Sequence, residues 1–230
     1  MSRSFMGYER SDGSVGIRNY ILVLSMVNCS NTVPQQIAAE TGAHVIPIDC
    51  GCVEVADHHR RTCLALTSAA LNPNVYAVIL VGLGCEQTDH DKVMADIAAS
   101  GKPVSYIGIQ ESGGPRPAVA KGVEIAEKYQ AAAAALPRKE FPLSKLVLAV
   151  QCGGSDWTTA LSGNITIGEM TDLVVEEGGS VIIGEVPGFP GSEHILAERS
   201  VTPQVGLEVI QMCDELRAEY VEAHGQTIEE

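Results

Sequence analysis

Aromatic residues are scarce in this chain: three Phe, one Trp and six Tyr among 230 residues. A core of that length must then be filled by Val, Ile, Leu and Ala, the filling of strands covered on both faces. Basic residues are scarce as well, 15 Lys and Arg against 29 Asp and Glu for a net charge of −14. With no basic stripe, the chain lacks the electrostatic footprint of a nucleic-acid partner. No apolar run approaches the roughly 18 residues of a membrane span, and the opening "MSRSFMGYERSDGSVGIRNY" is polar and glycine-rich rather than an apolar leader. Seven cysteines, an odd number, complete the expectation of a soluble protein of the reducing cytoplasm with no membrane partner. Complete Walker and dinucleotide fingerprints are missing. Cys50-Gly51-Cys52 is spaced too tightly for a zinc ribbon and has no second pair.

What the chain does contain is alternation. Short aliphatic runs recur at 20–27, 44–48, 76–84, 103–109, 145–151 and 180–186, separated by helix-like segments that several times close on Gly or Pro. That order predicts βαβ units with right-handed crossovers, hence a three-layer α/β/α, Rossmann-like fold around a mostly parallel sheet. One domain over 1–230 is expected at this length, with a possible lobe boundary at 136–145, where "LPRKEFPLSK" follows an alanine-rich helix.

Ligands of open parallel sheets bind beyond the carboxyl ends of the strands. Four of the runs end there in polar clusters: Asn28-Cys29-Ser30, Gly84-Cys85-Glu86, Gln110-Glu111-Ser112-Gly113-Gly114 and Cys152-Gly153-Gly154-Ser155-Asp156. Glu185, Glu193 and His194 follow the sixth run. Each cluster has a plainer reading, since a strand-end cysteine is commonly a small buried hydrophobe and a Gly-Gly pair commonly a turn. Three cysteines at three strand ends favour a shared pocket over packing alone. Because the surface is acidic, an anionic ligand there needs local donors such as backbone N–H groups. His58, His59 and His90 open helix-like segments and read as solvated or first-turn residues. Cys63 and Cys213, inside amphipathic segments, read as core.

These clusters resemble the altronate and galactarate dehydratase family, which includes the large subunits of sulfolactate sulfo-lyases. The matching stretches are "GYERSDGSVGIRNY", "VNCS", "NPNVYAVILVGLGCE", "IQESGG", "CGGSD" and "GEVPGFPGSEHIL", in order along most of the chain. The resemblance implies a hydro-lyase that removes water from a hydroxy acid to give a 2-keto-3-deoxy acid, aided by a divalent metal, Fe2+ first and Mn2+ second, with an iron–sulfur cluster as the lesser alternative. Such chemistry needs a base for the α-proton, a cation or donors for the enediolate and an acid for the leaving hydroxyl. On this expectation His194, Glu193, Glu86 and Asp156 are the acid–base set and Cys29, Cys85 and Cys152 the metal ligands. Arg10, Arg18, Asn28, Ser30, Gln110, Gly113, Gly114, Gly153, Gly154 and Ser155 then hold the substrate.

The chain departs from the family pattern at Thr159-Ala160, Asn164-Ile165 and Gly188, and it has Ile48 and Asp49 where a histidine is expected. The family's large chain also continues into a further glycine-rich segment with no trace after residue 200. The expectation is therefore either an active lyase subunit or a partial, non-catalytic one completed by a complementary dehydratase subunit. A homo-oligomer is the default assembly.

Overall fold

The computed structural model describes residues 3–154 and 156–226. They fall into two compact units, divided between Lys145 and Leu146.

The first unit runs β1 (Ser4–Glu9), β2 (Val15–Gly16), β3 (Tyr20–Ser25), α1 (Thr32–Thr41), β4 (His44–Ile46), α2 (Ala56–Leu71), β5 (Val75–Gly82), α3 (His90–Ala99), β6 (Val104–Gly108), α4 (Pro115–Ala134) and β7 (Lys139–Pro142). Its centre is a parallel sheet in the order β4-β3-β5-β6. Val23 lies opposite Val45 and Ile79, and Val81 opposite Ile107. Successive strand residues point to opposite faces, and the core divides accordingly. Ile21, Val23, Ile79 and Val81 pack with Ile37 of α1 and Val119 of α4. Leu22, Leu24, Val78 and Leu80 pack with Leu66 of α2 and with Val93 and Ile97 of α3. This is the three-layer α/β arrangement, and each fully buried aliphatic side chain in it stabilises the fold by roughly 1.5–3 kcal/mol. A small antiparallel sheet, β2-β1-β7, joins the ends of the unit, with Phe5 opposite Phe141.

Helix ends in this unit follow local chemistry. Asp89 caps α3 by accepting from the Lys92 N–H at 2.9 Å. Gly42 ends α1 with φ +73°, a conformation that favours glycine.

The second unit runs β8 (Val147–Val150), a π-helical turn at Thr159–Gly163, α5 (Asn164–Glu176), β9 (Ser180–Ile183), α6 (Glu193–Glu198) and α7 (Pro203–His224). β8 and β9 form a two-stranded parallel sheet with Leu148 opposite Val181. Thr202 caps α7 by accepting from the Val205 N–H at 3.3 Å, Pro203 takes the first turn, where its missing N–H costs nothing, and Gly225 ends the helix. No described helix is long and apolar enough to cross a membrane.

Candidate active site

At the carboxyl edge of the first unit's sheet, the loops after β3, β4 and β5 are tied to one another. The Asn28 N–H donates to the Cys50 carbonyl at 2.9 Å, and the Gln87 N–H to the Gly51 carbonyl at 3.1 Å. Gly51 has φ +95°, and a side chain there would run into the Met26–Val27 backbone, so only glycine lets the β4 loop lie this close to the end of β3. The buried Thr88 hydroxyl donates to the Met26 carbonyl at 2.8 Å and binds the β5 loop to the same point. On this frame Asn28, Cys29, Cys85 and Gln110 are exposed, and the Gln110 side chain packs over Gly84. The sequence therefore brings three of its expected clusters to one edge.

Glu86 has the most defined surroundings of that set. One carboxylate oxygen accepts from the Gly84 N–H at 2.6 Å and the other from the Tyr106 hydroxyl at 3.0 Å. Burial opposes its charge, but the Gly84 N–H, its own backbone N–H and the Tyr106 hydroxyl outweigh that and hold the carboxyl below its usual range. Burial, then the bond to Glu86, push the Tyr106 phenol well above its usual range. The Tyr106 ring stacks on His90 with centroids 4.1 Å apart and planes at 11°. An ionised carboxylate, a neutral phenol and an imidazole thus meet where β5, β6 and α3 converge. Tyr106 went unnoticed in the sequence because it sits inside an aliphatic strand, where an aromatic reads as core.

Other expected residues are employed elsewhere. Arg10 donates to the carbonyls of Pro73 at 2.7 Å and Arg18 at 3.0 Å, while the Arg18 side chain donates to the Ile17 carbonyl at 3.1 Å. Pro73 precedes β5, so both arginines stand at the amino edge of the sheet, the far end from Glu86. Each holds backbone there. Ser30 is fully buried, and its hydroxyl is engaged with Ser25 and with the carbonyls of Val27 and Val81, which fixes the turn after β3. The N–H groups of Gly113 and Gly114 donate to the carbonyls of Gln110 and Ile109. With prolines at 115 and 117, the start of α4 has few free donors for an anion.

In the second unit Cys152, Gly153 and Gly154 are exposed after β8. The Cys152 sulfur lies 3.9 Å from the Asn164 amide and lines a hollow of about 450 Å3 with Asp156 and the exposed Trp157. Asp156, expected as a proton carrier, is a helix cap. It accepts from the N–H groups of Thr158 (2.7 Å) and Thr159 (3.0 Å) and from both hydroxyls. Those bonds, the Thr158 hydroxyl foremost, lower its pKa to about 2, so it stays ionised at neutral pH. Glu193 opens α6 and pairs through Oε1 with Arg217 of α7 at 2.8 Å, which ties the two helices together, while its Oε2 is buried without a hydrogen-bond partner. His194, beside it, is exposed. Ser155 lies outside the described residues. Cys213 is fully buried, in keeping with a core role, and Cys63, half-buried, packs against the core on the α2–α3 face of the sheet.

The metal expectation meets a stricter test. Among the described residues no three His, Cys, Asp or Glu side chains stand close enough to hold one ion. Cys29 and Cys85 belong to the first unit and Cys152 to the second, so the three expected thiols do not lie within one unit.

A parallel sheet whose carboxyl edge gathers thiols, an amide and a phenol-bound carboxylate defines an α/β protein with a strand-end site. The chain belongs to the D-galactarate dehydratase/altronate hydrolase family: residues 7–134 match the second domain of that family, and residues 143–230 match the C-terminal domain of the D-galactarate/altronate dehydratases. It is 28% identical to the altronate dehydratase of Bacillus subtilis, an alignment that covers 100% of this chain and 48% of that protein. It is 34% identical to the (2R)-sulfolactate sulfo-lyase subunit beta of Chromohalobacter salexigens, over 88% of this chain and 52% of that one. With the galactarate dehydratase (L-threo-forming) of Escherichia coli it shares 27% identity, over 90% of this chain and 44% of the relative. The chain spans about half the length of the curated relatives it matches.

Proposed function

We propose that this chain is a lyase subunit that eliminates water from a hydroxylated sugar acid of the altronate or galactarate kind, giving a 2-keto-3-deoxy acid, with the carboxyl edge of the first unit as a wall of the active site. The observation that supports this most is the Glu86–Tyr106 pair at the strand ends, in a chain whose relatives include dehydratases of two sugar acids. Elimination requires loss of the proton α to a carboxylate and departure of the β-hydroxyl as water. Glu86, ionised at neutral pH, is the acceptor for the α-proton. The neutral Tyr106 hydroxyl donates to Glu86 and steadies its charge. Gln110, Asn28 and the thiols of Cys29 and Cys85 offer donors and acceptors to the substrate hydroxyls. The steps assigned to this chain's described residues are binding and proton transfer. Seven free cysteines suit a reducing cytoplasm.

A second reading, a partial subunit completed by a partner chain, is favoured by a specific feature of the second unit. Its parallel strands leave Val147, Ile182 and Ile183 more than half exposed, although parallel sheets are characteristically covered on both faces. The likeness to a lyase subunit named beta points the same way.

Both readings are tested by assaying altronate, galactarate and (2R)-sulfolactate with the chain alone and with a complementary subunit, for wild type and Glu86→Gln. The expected result is turnover of one substrate that falls on the order of 10²-fold or more in the variant. Unchanged turnover in Glu86→Gln removes the proposed base. Activity that requires the second subunit selects the partial-subunit reading.

A further inference from the structure

A second constellation lies outside that site, around the start of α2. The Cys63 sulfur faces His59 Nε2 at 3.8 Å, and His59 Nδ1 faces Glu54 Oε2 at 3.5 Å. Glu54 is firmly held. Its side chain is only 8% exposed, its other oxygen accepts from the Thr62 hydroxyl at 2.6 Å, and its backbone N–H and carbonyl are both clamped by the Gln87 amide at 2.8 and 3.0 Å. Glu54 Oε2 and His59 Nδ1 are buried and have no hydrogen-bond partner of full geometry, and each faces the other, while the Cys50 thiol and the Gly51 backbone also bear on the Glu54 carboxylate. Cys63 and His59 open into a groove of about 360 Å3 between α2 and α3, whose cationic lining is Arg60 and Lys92 and whose acidic lining is Asp89 and Asp96.

We propose that Cys63 is a base-assisted nucleophilic thiol that exchanges with a low-molecular-weight disulfide carrying carboxylates, with His59 as proton acceptor and Glu54 as the residue that orients it. This does not depend on the lyase reading. A nucleophile, a base and an orienting carboxylate in one cleft are the recurring parts of an activated thiol. Glu54 turns His59 Nδ1–H toward itself, which leaves Nε2 free to accept. Burial raises the Cys63 thiol, with Asp89 and Glu54 adding to the rise and the Asp89 backbone and Lys92 opposing it. The resting sulfur is therefore a thiol and depends on His59 to lose its proton. In the exchange, the Cys63 sulfur attacks one sulfur of the disulfide, a new S–S bond forms and the old one breaks. The proton passes to His59 and then to the departing thiolate, which leaves as a thiol. Exchange of this kind needs no set of oxyanion donors, unlike acyl transfer, and Arg60 suits a carboxylate of the incoming disulfide, while Lys92 is paired with Asp96 at 2.8 Å.

The test treats the full chain with oxidised glutathione across pH 6–9 and follows each cysteine by mass spectrometry, using a digest that separates Cys63 from Cys85. Cys63 is expected to form the mixed disulfide, with a rate that rises with pH. In His59→Gln the rate should fall roughly tenfold or more at neutral pH and recover only toward the alkaline end of that range, because burial raises the Cys63 thiol. Glu54→Gln, which keeps the Thr62 bond, should slow the reaction with the same pH shape. The proposal is overturned if Cys63 stays unmodified while the exposed Cys52 and Cys85 react, or if His59→Gln, folded by circular dichroism, reacts as fast as wild type.

Discussion

The two units are built from the same kind of βαβ sequence and reach different degrees of closure. In the first, strands β3 and β5 lie between neighbours and their side chains are buried on both faces, Val23, Leu24, Ile79, Leu80 and Val81 completely. In the second, β8 and β9 have only each other. Among the described residues, Val174 and Cys213 are the only buried apolar side chains of that unit, while Trp157 is 74% exposed. The contrast teaches that an aliphatic run specifies a strand without supplying the neighbours that bury it. A four-stranded sheet with helices on both faces closes its own core, whereas a pair of parallel strands does not.

Substitutions can break or sharpen that contrast. The largest stability effect is expected in the first unit's core. Ile79→Ala removes a fully buried side chain and should cost about 2–5 kcal/mol by denaturant unfolding, while Ile182→Ala, already exposed, should stay within about 0.5 kcal/mol. Equal effects would erase the distinction. Thr88→Val should cost about 1–3 kcal/mol, since it leaves the buried Met26 carbonyl unpaired, and with it loosen the loop that carries Glu86. Asp89→Ala, which removes the α3 cap, should cost about 1 kcal/mol. Hydrogen exchange sharpens the comparison without mutation: the slowest amides should lie in β3 and β5 and faster ones in β8 and β9.

The smallest effect concerns acid. Asp156 has a folded pKa of about 2 against an ordinary 3.8. Its capping contribution is present above about pH 4 and is lost as pH falls toward 2. Carbon-detected NMR should place its titration near 2. A midpoint near 4 would mean that the cap is not formed.

All six aliphatic runs are strands, shortened by one to three residues where the chain turns into its loops, because the preference of Val, Ile and Leu for extended backbone is written locally whether or not neighbours bury them. β1, β2 and β7 escaped notice, since "SFMGYE" and "KEFP" carry no aliphatic run and owe their form to pairing across more than 130 residues, such as Phe5 with Phe141. The site was legible in position more than in role. Glu86, Cys29, Cys85 and Gln110 reach the expected edge by topology alone. Arg10, Arg18 and Asp156 look in sequence like ligand-binding or proton-carrying groups, and only their partners reveal staples and a cap. The Tyr106 contact with Glu86 arises from packing between elements, which no local pattern encodes, whereas His59 and Cys63 stand one turn apart on α2 just after Glu54, a local spacing hidden because each residue alone reads as surface or core.

The account rests on Glu86 taking the α-proton, and deuterium exchange at that carbon measures the step directly. Galactarate or altronate incubated in D2O with the chain and its complementary subunit, followed by proton NMR, should lose the α-hydrogen signal with wild type. Glu86→Gln should slow that loss on the order of 10²-fold, while Glu193→Gln should leave it unchanged. Exchange at the wild-type rate in Glu86→Gln would contradict the account.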